Sequence, residues 1–301
     1  MRSSRRFALF LFVFVPLLQG CNSYFYWPEA RPPIPEAGAG SGLQIHHFVS
    51  KDDTILEGWF VPAKTLDAKG LIVYCHGTDT NIGEYYDAVE FLPYHGFDLF
   101  MFDYRGYGSS EGSPSREGTV MDTHAAIDYA KSLPQIGSNE PVALYGYSLG
   151  SGIAIVVTAE RPDISGVVAE SGFTTYRDIA RKVTGDRWLT WALQIFSPIF
   201  VPRGKDAIDY VDKISPRPIF IVQGDCDELV PCWMADELYA KAKEPKKLWK
   251  IRGAGHYSPP DKRHPAYERR IAGYFDYIFD TANGLKPEVD PDCLPGGKTY
   301  D

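Results

Sequence analysis

Short apolar runs separated by turn residues and longer amphipathic stretches recur from residue 43 to residue 281. Ile45 to Val49 and Ile55 to Val61 read as an opening strand pair joined through Asp52 and Asp53. The later runs are Leu71 to Cys75, Phe97 to Phe102, Val142 to Tyr147, Ile164 to Ala169, Ile219 to Val222 and Leu248 to Ile251. Runs of this kind suit strands buried on both faces. Between them the spacing predicts helices over 84–94, 116–132, 149–160, 233–243 and 265–280. Such alternation predicts an α/β fold with a mostly parallel central sheet and helices on both faces. One interval, 173–213, breaks the rhythm and carries Trp188, Leu189, Ala192, Leu193, Ile195, Phe196 and Phe200. It reads either as a helical lid over the sheet's C-terminal edge or as laterally packed helix. Residues 282–301 read as a polar tail.

The first forty-two residues follow a different pattern. Arg2, Arg5 and Arg6 precede the apolar run Phe7 to Leu18, which is too short for a stable membrane span and reads as an export signal over 1–20. Leu18-Gln19-Gly20-Cys21 then resembles the lipobox of bacterial lipoproteins, which implies lipidation of Cys21. Residues 21–42, with four prolines followed by Gly38, Gly40 and Gly42, read as a tether between anchor and domain. Tyr24, Phe25, Tyr26 and Trp27 within it suit either the lipid interface or packing against the domain. The expected location is therefore the exported side of a bacterial envelope, periplasmic or at the outer membrane.

Charge narrows the partners. The chain of 301 residues has a formal net charge of −8, and removal of the signal takes away only arginines. With no basic stripe for phosphates, nucleic acid is not an expected partner.

Gly146-Tyr147-Ser148-Leu149-Gly150 follows a predicted strand and opens a predicted helix. The pentapeptide G-x-S-x-G is weak by itself, but a serine on a sharp strand-to-helix turn has its oxygen exposed at the positive end of a helix. Small neighbours relieve the crowding, and Ser151 and Gly152 extend that run. A serine needs a base to take its proton. His256, in Gly253-Ala254-Gly255-His256 after the last predicted strand, lies in a loop at the same sheet edge. The base needs an acid partner, and the loop Gly224-Asp225-Cys226-Asp227-Glu228 offers three: Asp225, Asp227 and Glu228. Leu149 N–H and Thr78 N–H, the latter after the turn His76-Gly77, are the expected oxyanion donors. His76 is expected to shape that turn. The histidines and cysteines have no plausible ligand spacing, so neither metal nor organic cofactor is expected.

These features together resemble the α/β-hydrolase superfamily, in its monoacylglycerol-lipase-like, serine-aminopeptidase-like and acyl-protein-thioesterase-like branch. Asp103-Tyr104-Arg105-Gly106-Tyr107-Gly108-Ser109-Ser110 matches the family's D-x-R-G-x-G-x-S loop, which implies scaffolding and not catalysis for Asp103. The family's G-x-x-D-x-x-V-P pattern implies Asp227 as the acid. Relatives usually carry Asn where this chain has Thr78, a change of little weight for a backbone donor. The resemblance implies a serine hydrolase acting on a carboxylic ester or thioester of a small-molecule or acyl substrate. The alternatives are a peptidase of the same fold and a non-catalytic lipid-anchored envelope protein. Finally, Cys226 and Cys232 bracket the acid loop in a chain expected to be exported, so a disulfide between them is expected, with Cys75 a buried thiol.

Overall fold

The computed structural model describes residues 25–29, 42–185, 201–256, 265–287 and 298–300. The elements are β1 (Trp27–Pro28), β2 (Gln44–Val49), β3 (Ile55–Val61), β4 (Leu71–Cys75), β5 (Asp79–Thr80), α1 (Ile82–Val89), α2 (Phe91–Tyr94), β6 (Asp98–Phe102), α3 (Arg116–Lys131), β7 (Val142–Tyr147), α4 (Leu149–Glu160), β8 (Ile164–Glu170), α5 (Tyr176–Gly185), β9 (Ile219–Gly224), α6 (Cys232–Lys241), β10 (Lys246–Ile251), α7 (Pro265–Ala282) and β11 (Lys298–Tyr300). Nine strands form one sheet in the order β11-β10-β9-β8-β7-β4-β6-β3-β2. The β2–β3 and β3–β6 pairs are antiparallel and the others parallel, so the expected α/β-hydrolase architecture is the one observed.

Period-two alternation divides the apolar runs between two cores. Leu71, Val73 and Cys75 of β4, Val142 and Leu144 of β7, and Ile219 and Ile221 of β9 pack with α3, α4 and α6. Ile72, Tyr74, Ala143, Tyr145, Phe220 and Val222 point the other way, to α1 and α7. Both faces being covered, the central strands need no polar side and read as continuous apolar runs. Along α7, Tyr267, Ile271, Tyr274, Phe275, Ile278 and Phe279 recur at helical spacing and form the stripe that closes the second core.

Several expectations change. The helix expected over 84–94 is two helices, α1 and α2, because Pro93 has no N–H to return to the carbonyl of Val89. Of the segment 173–213, α5 and the two short 3₁₀ turns Ala207–Asp209 and Val211–Lys213 are described, with Ala207 and Val211 buried in the first core. The aromatic stretch that suggested a lid lies outside the described residues, as do Cys21 and Cys293. The expected tail contributes β11, which pairs in parallel with β10. Residues 25–29, expected within a tether, lie on the domain, where β1 pairs with β5.

Candidate active site

The C-terminal end of β7 and the start of α4 meet at Ser148. Its backbone sits at φ +53°, where a non-glycine residue is strained. A Cβ at Gly146 would strike the Gly150 carbonyl, and one at Gly150 would strike the carbonyl of Cys75. Small residues there let the first turn of α4 sit against both β7 and the turn after β4. The amide of Ser148 donates to Glu170 O on β8 (2.9 Å), which ties the turn to the neighbouring strand.

His256, in the loop after β10, places Nε2 3.0 Å from Ser148 Oγ. Its Nδ1 lies 2.8 Å from Asp227 Oδ2. All three side chains are buried. Asp227 also accepts from the amides of Leu229 (2.9 Å) and Val230 (2.7 Å) and from Gln223 Nε2 (2.9 Å), so its remaining lone pairs have donors. Tyr147 donates its hydroxyl to the carbonyl of His256 (2.5 Å), which holds the histidine loop from the β7 side. The competing acids face elsewhere. Asp225 is exposed and accepts from the amide of Gly253 (2.6 Å), bracing the loop that carries His256, while Glu228 is exposed.

The structure corrects the expected Cys226–Cys232 disulfide: both are free thiols. Cys232, at the start of α6, directs Sγ to the carbonyl of Gly224 (3.3 Å), whereas Cys226 lies exposed at the loop tip. Donation of its S–H to the Asp225 carboxylate holds the Cys226 thiol above its ordinary pKa. Asp227 already fixes the intervening turn by accepting two of its amides, so the loop keeps its shape without a bridge. Cys75 is the buried thiol expected, and burial pushes its pKa up to about 12.

Leu149 is the first residue of α4, so its amide has no intrahelical acceptor. Thr78 follows the His76-Gly77 turn, and its neighbours fix its peptide planes. The Nδ1–H of His76 donates to Gly77 O (2.9 Å), the carbonyl of the very peptide unit whose N–H belongs to Thr78. The Thr78 carbonyl accepts from Trp27 N–H (2.9 Å) and the Tyr107 hydroxyl (2.7 Å). The Thr78 hydroxyl donates to Phe25 O. Burial drives the pKa of His76 down to about 3, so the ring is neutral and acts as a structural donor. Asp103 accepts from the amide of Ile82 (2.9 Å), and Arg105 pairs with Asp122 and Asp52 (2.7 Å each), so that loop is scaffolding as expected.

Sequence reasoning missed the roles of Gln223, Tyr107 and Tyr147, and, of its two readings for Tyr24 to Trp27, packing against the domain is the one observed for Phe25, Tyr26 and Trp27, on the Thr78 turn. Gln223 left one signal in the sequence, an amide directly after the apolar run Ile219 to Val222, and the structure shows it fully buried. The others act through backbone bonds to distant residues, which no short motif records. Among the described residues no group of histidine, cysteine, aspartate and glutamate has the arrangement of a metal site.

A family described as serine aminopeptidase, S33, matches residues 67–204. YfhR of Escherichia coli (strain K12), an uncharacterized protein, is 30% identical over 268 residues, covering 87% of this chain and 88% of that protein. The α/β hydrolase domain-containing protein WAV2 of Arabidopsis thaliana is 29% identical over 239 residues, covering 76% of this chain and 74% of WAV2. Among solved structures, the Pyrococcus furiosus esterase Pf2001 superposes with a TM-score of 0.69 at 21% identity, over 85% of this chain and 98% of the esterase.

Proposed function

Since the chain belongs to the α/β-hydrolase superfamily, in the family that includes YfhR, we propose that it is a lipid-anchored serine hydrolase of carboxylic esters or thioesters. The observation that carries the reading is the unbroken relay Ser148 Oγ, His256, Asp227, at 3.0 and 2.8 Å. In it Ser148 Oγ attacks the acyl carbon while His256 Nε2 takes its proton. Asp227 holds the imidazole in the tautomer with its proton on Nδ1 and stabilises the imidazolium. The amides of Thr78 and Leu149 stabilise the tetrahedral oxyanion, where one donor of this kind is worth about 3–4 kcal/mol. His256 then protonates the departing alcohol or thiol. Water, activated by the same histidine, releases the acyl group as an acid and restores the serine. Cys21 is proposed to carry the lipid, on the strength of its lipobox-like setting.

Ser148→Ala tests the chemistry. It is expected to abolish labelling by a fluorophosphonate and to lower turnover of a short-chain activated ester by more than about a thousandfold, with the fold intact. A variant that keeps a tenth of the wild-type rate would refute the assignment. Mass spectrometry of the mature N-terminus tests the anchor, with a soluble form beginning elsewhere as the adverse result. The match to a family described as serine aminopeptidase supports peptide cleavage as a second reading. Peptidyl nitroanilides turned over faster than esters would favour it.

A further inference from the structure

The segment that follows the proposed anchor lies against the oxyanion turn. Phe25 accepts from the Thr78 hydroxyl, Trp27 donates to Thr78 O (2.9 Å), and Glu29 donates to Thr80 O (3.3 Å). From the far side, Gly108 N–H donates to Glu29 O (3.1 Å). Tyr26 is buried in the first core, and the Phe25 ring meets Tyr176 edge-on at 5.1 Å. Residues 25–29 are thus a strap fastened to the rim of the site.

Fastening there shortens the leash. Cys21 stands four residues before Phe25, and a fully extended chain covers at most about 3.6 Å per residue, or about 14 Å in all. A tether running the whole way from Cys21 to Gly42 would reach about 76 Å and leave the domain free to turn in any direction. About 14 Å is only about twice the headgroup layer of one leaflet, about 5–8 Å, and small against the domain. The oxyanion turn is therefore held near the lipid surface.

Exposed tryptophans mark the same edge. Trp27 is 51% exposed beside the turn after β4, and Trp233 is 44% exposed in the first turn of α6, after the loop that carries Asp227. Tryptophan favours the membrane–water interface. Two such side chains flank the C-terminal ends of the strands that present the site. The full chain's net charge of −8 becomes more negative once the signal's three arginines are removed, so the protein gains no general attraction to anionic lipid, and the anchor and these rings set its orientation.

We propose that the catalytic edge faces the membrane that holds Cys21, and that the substrate is a long-chain acyl ester resident in that bilayer. This rests on the serine-hydrolase and lipid-anchor readings above and names their substrate class. The acyl ester enters from the lipid phase to Ser148, and hydrolysis leaves the fatty acid with the bilayer.

The test uses the full acylated protein in phosphatidylcholine vesicles containing a fluorogenic oleoyl ester. A second variant carries a fifteen-residue Gly/Ser spacer between Ser23 and Tyr24, upstream of the strap. Turnover of a soluble butyrate ester is expected to be the same in both. Turnover of the vesicle ester is expected to fall about tenfold in the spacer variant, because the longer leash dilutes the oriented enzyme. Equal rates on the vesicle ester, or a wild type that cleaves the butyrate and leaves the oleoyl ester intact, overturn the proposal. Loss of both activities with no fluorophosphonate labelling instead strikes the hydrolase reading. Orientation then has its own readout: brominated acyl chains are expected to quench wild-type fluorescence more than that of Trp233→Phe. Equal fractional quenching overturns it.

Discussion

Asp225, Asp227 and Glu228 share one loop and differ in what the backbone lets each reach. Asp227 is turned inward by the amides of Leu229 and Val230 and meets His256, whereas Asp225 is exposed and holds Gly253. Asp227→Asn is therefore expected to lower kcat about 10³- to 10⁴-fold, because its amide group accepts or donates in the wrong sense for the imidazole. Asp225→Asn retains an acceptor for Gly253 and is expected to cost less than about tenfold. Steady-state kinetics on one soluble ester compares them, and equal losses reverse the assignment. His76 gives a residue-level test by pH. Its folded-state pKa, about 3, lies below the ordinary value of 6.5 because burial disfavours the charged ring. The unfolded chain therefore binds the extra proton first, so stability is fully present above pH 6.5 and is lost as pH falls toward 3. His76→Asn keeps a donor for Gly77 O and removes the titration. Its melting temperature is expected to fall less than that of the wild type between pH 7 and pH 4.5. Parallel losses in the two proteins reject His76 as an acid-labile group. At this scale Ser148 and His256 were legible because each stands in a short local pattern of small residues. Gln223 was not, because its role is defined by a partner four residues away across a turn and by burial that composition does not report.

Elements with strong periodicity were legible, and those made of two or three residues were not. The central strands show the two-sided burial that gives unbroken apolar runs, and α7 shows its stripe. By contrast β1 has two residues, no period to detect, and a partner about fifty residues away that it binds only through backbone groups. Its consequence for chemistry is specific. The amide of Trp27 donates to the carbonyl of Thr78, so the strap braces the proposed oxyanion donor from outside. Trp27→Pro deletes that N–H and is expected to lower kcat about tenfold with little change in KM, since a misplaced oxyanion donor weakens the transition state more than substrate binding. Trp27→Phe retains the amide and is expected to keep the wild-type kcat on a soluble ester. A proline variant that loses only KM, or a phenylalanine variant that falls equally, assigns the effect to the side chain and removes the strap from catalysis.

The whole molecule is a sheet whose candidate catalytic loops all leave from one edge, and this order follows from alternation in the sequence. Successive βα units place the ends of β4, β7, β9 and β10 together, bringing Thr78, Ser148, Asp227 and His256 into one neighbourhood from positions up to 178 residues apart. What alternation does not determine is how the sheet ends. β2 closes one side with an antiparallel strand, and the other side is closed by the three-residue β11, drawn from a tail with no apolar run. β10 beneath it carries buried Leu248 and Trp249 between Lys246, Lys247 and Lys250. A strand of this composition left unpaired exposes backbone donors and acceptors beside apolar surface, the arrangement that recruits another chain. Deleting residues 298–301 removes the three-residue ladder with β10. At about 1 kcal/mol net per backbone hydrogen bond, the loss is expected to cost about 1–3 kcal/mol. The larger sheet is otherwise intact, so the truncated protein is expected to remain folded and to turn over a soluble ester at the wild-type rate per monomer. Lys250 is paired with Asp236 (2.6 Å) and Lys247 is buried, so their charge does little to guard the bared edge, and at higher concentration the truncated protein is expected to elute as larger species in size-exclusion chromatography. A truncated chain that melts as the wild type does and stays monomeric at high concentration shows that β11 contributes neither stability nor edge protection.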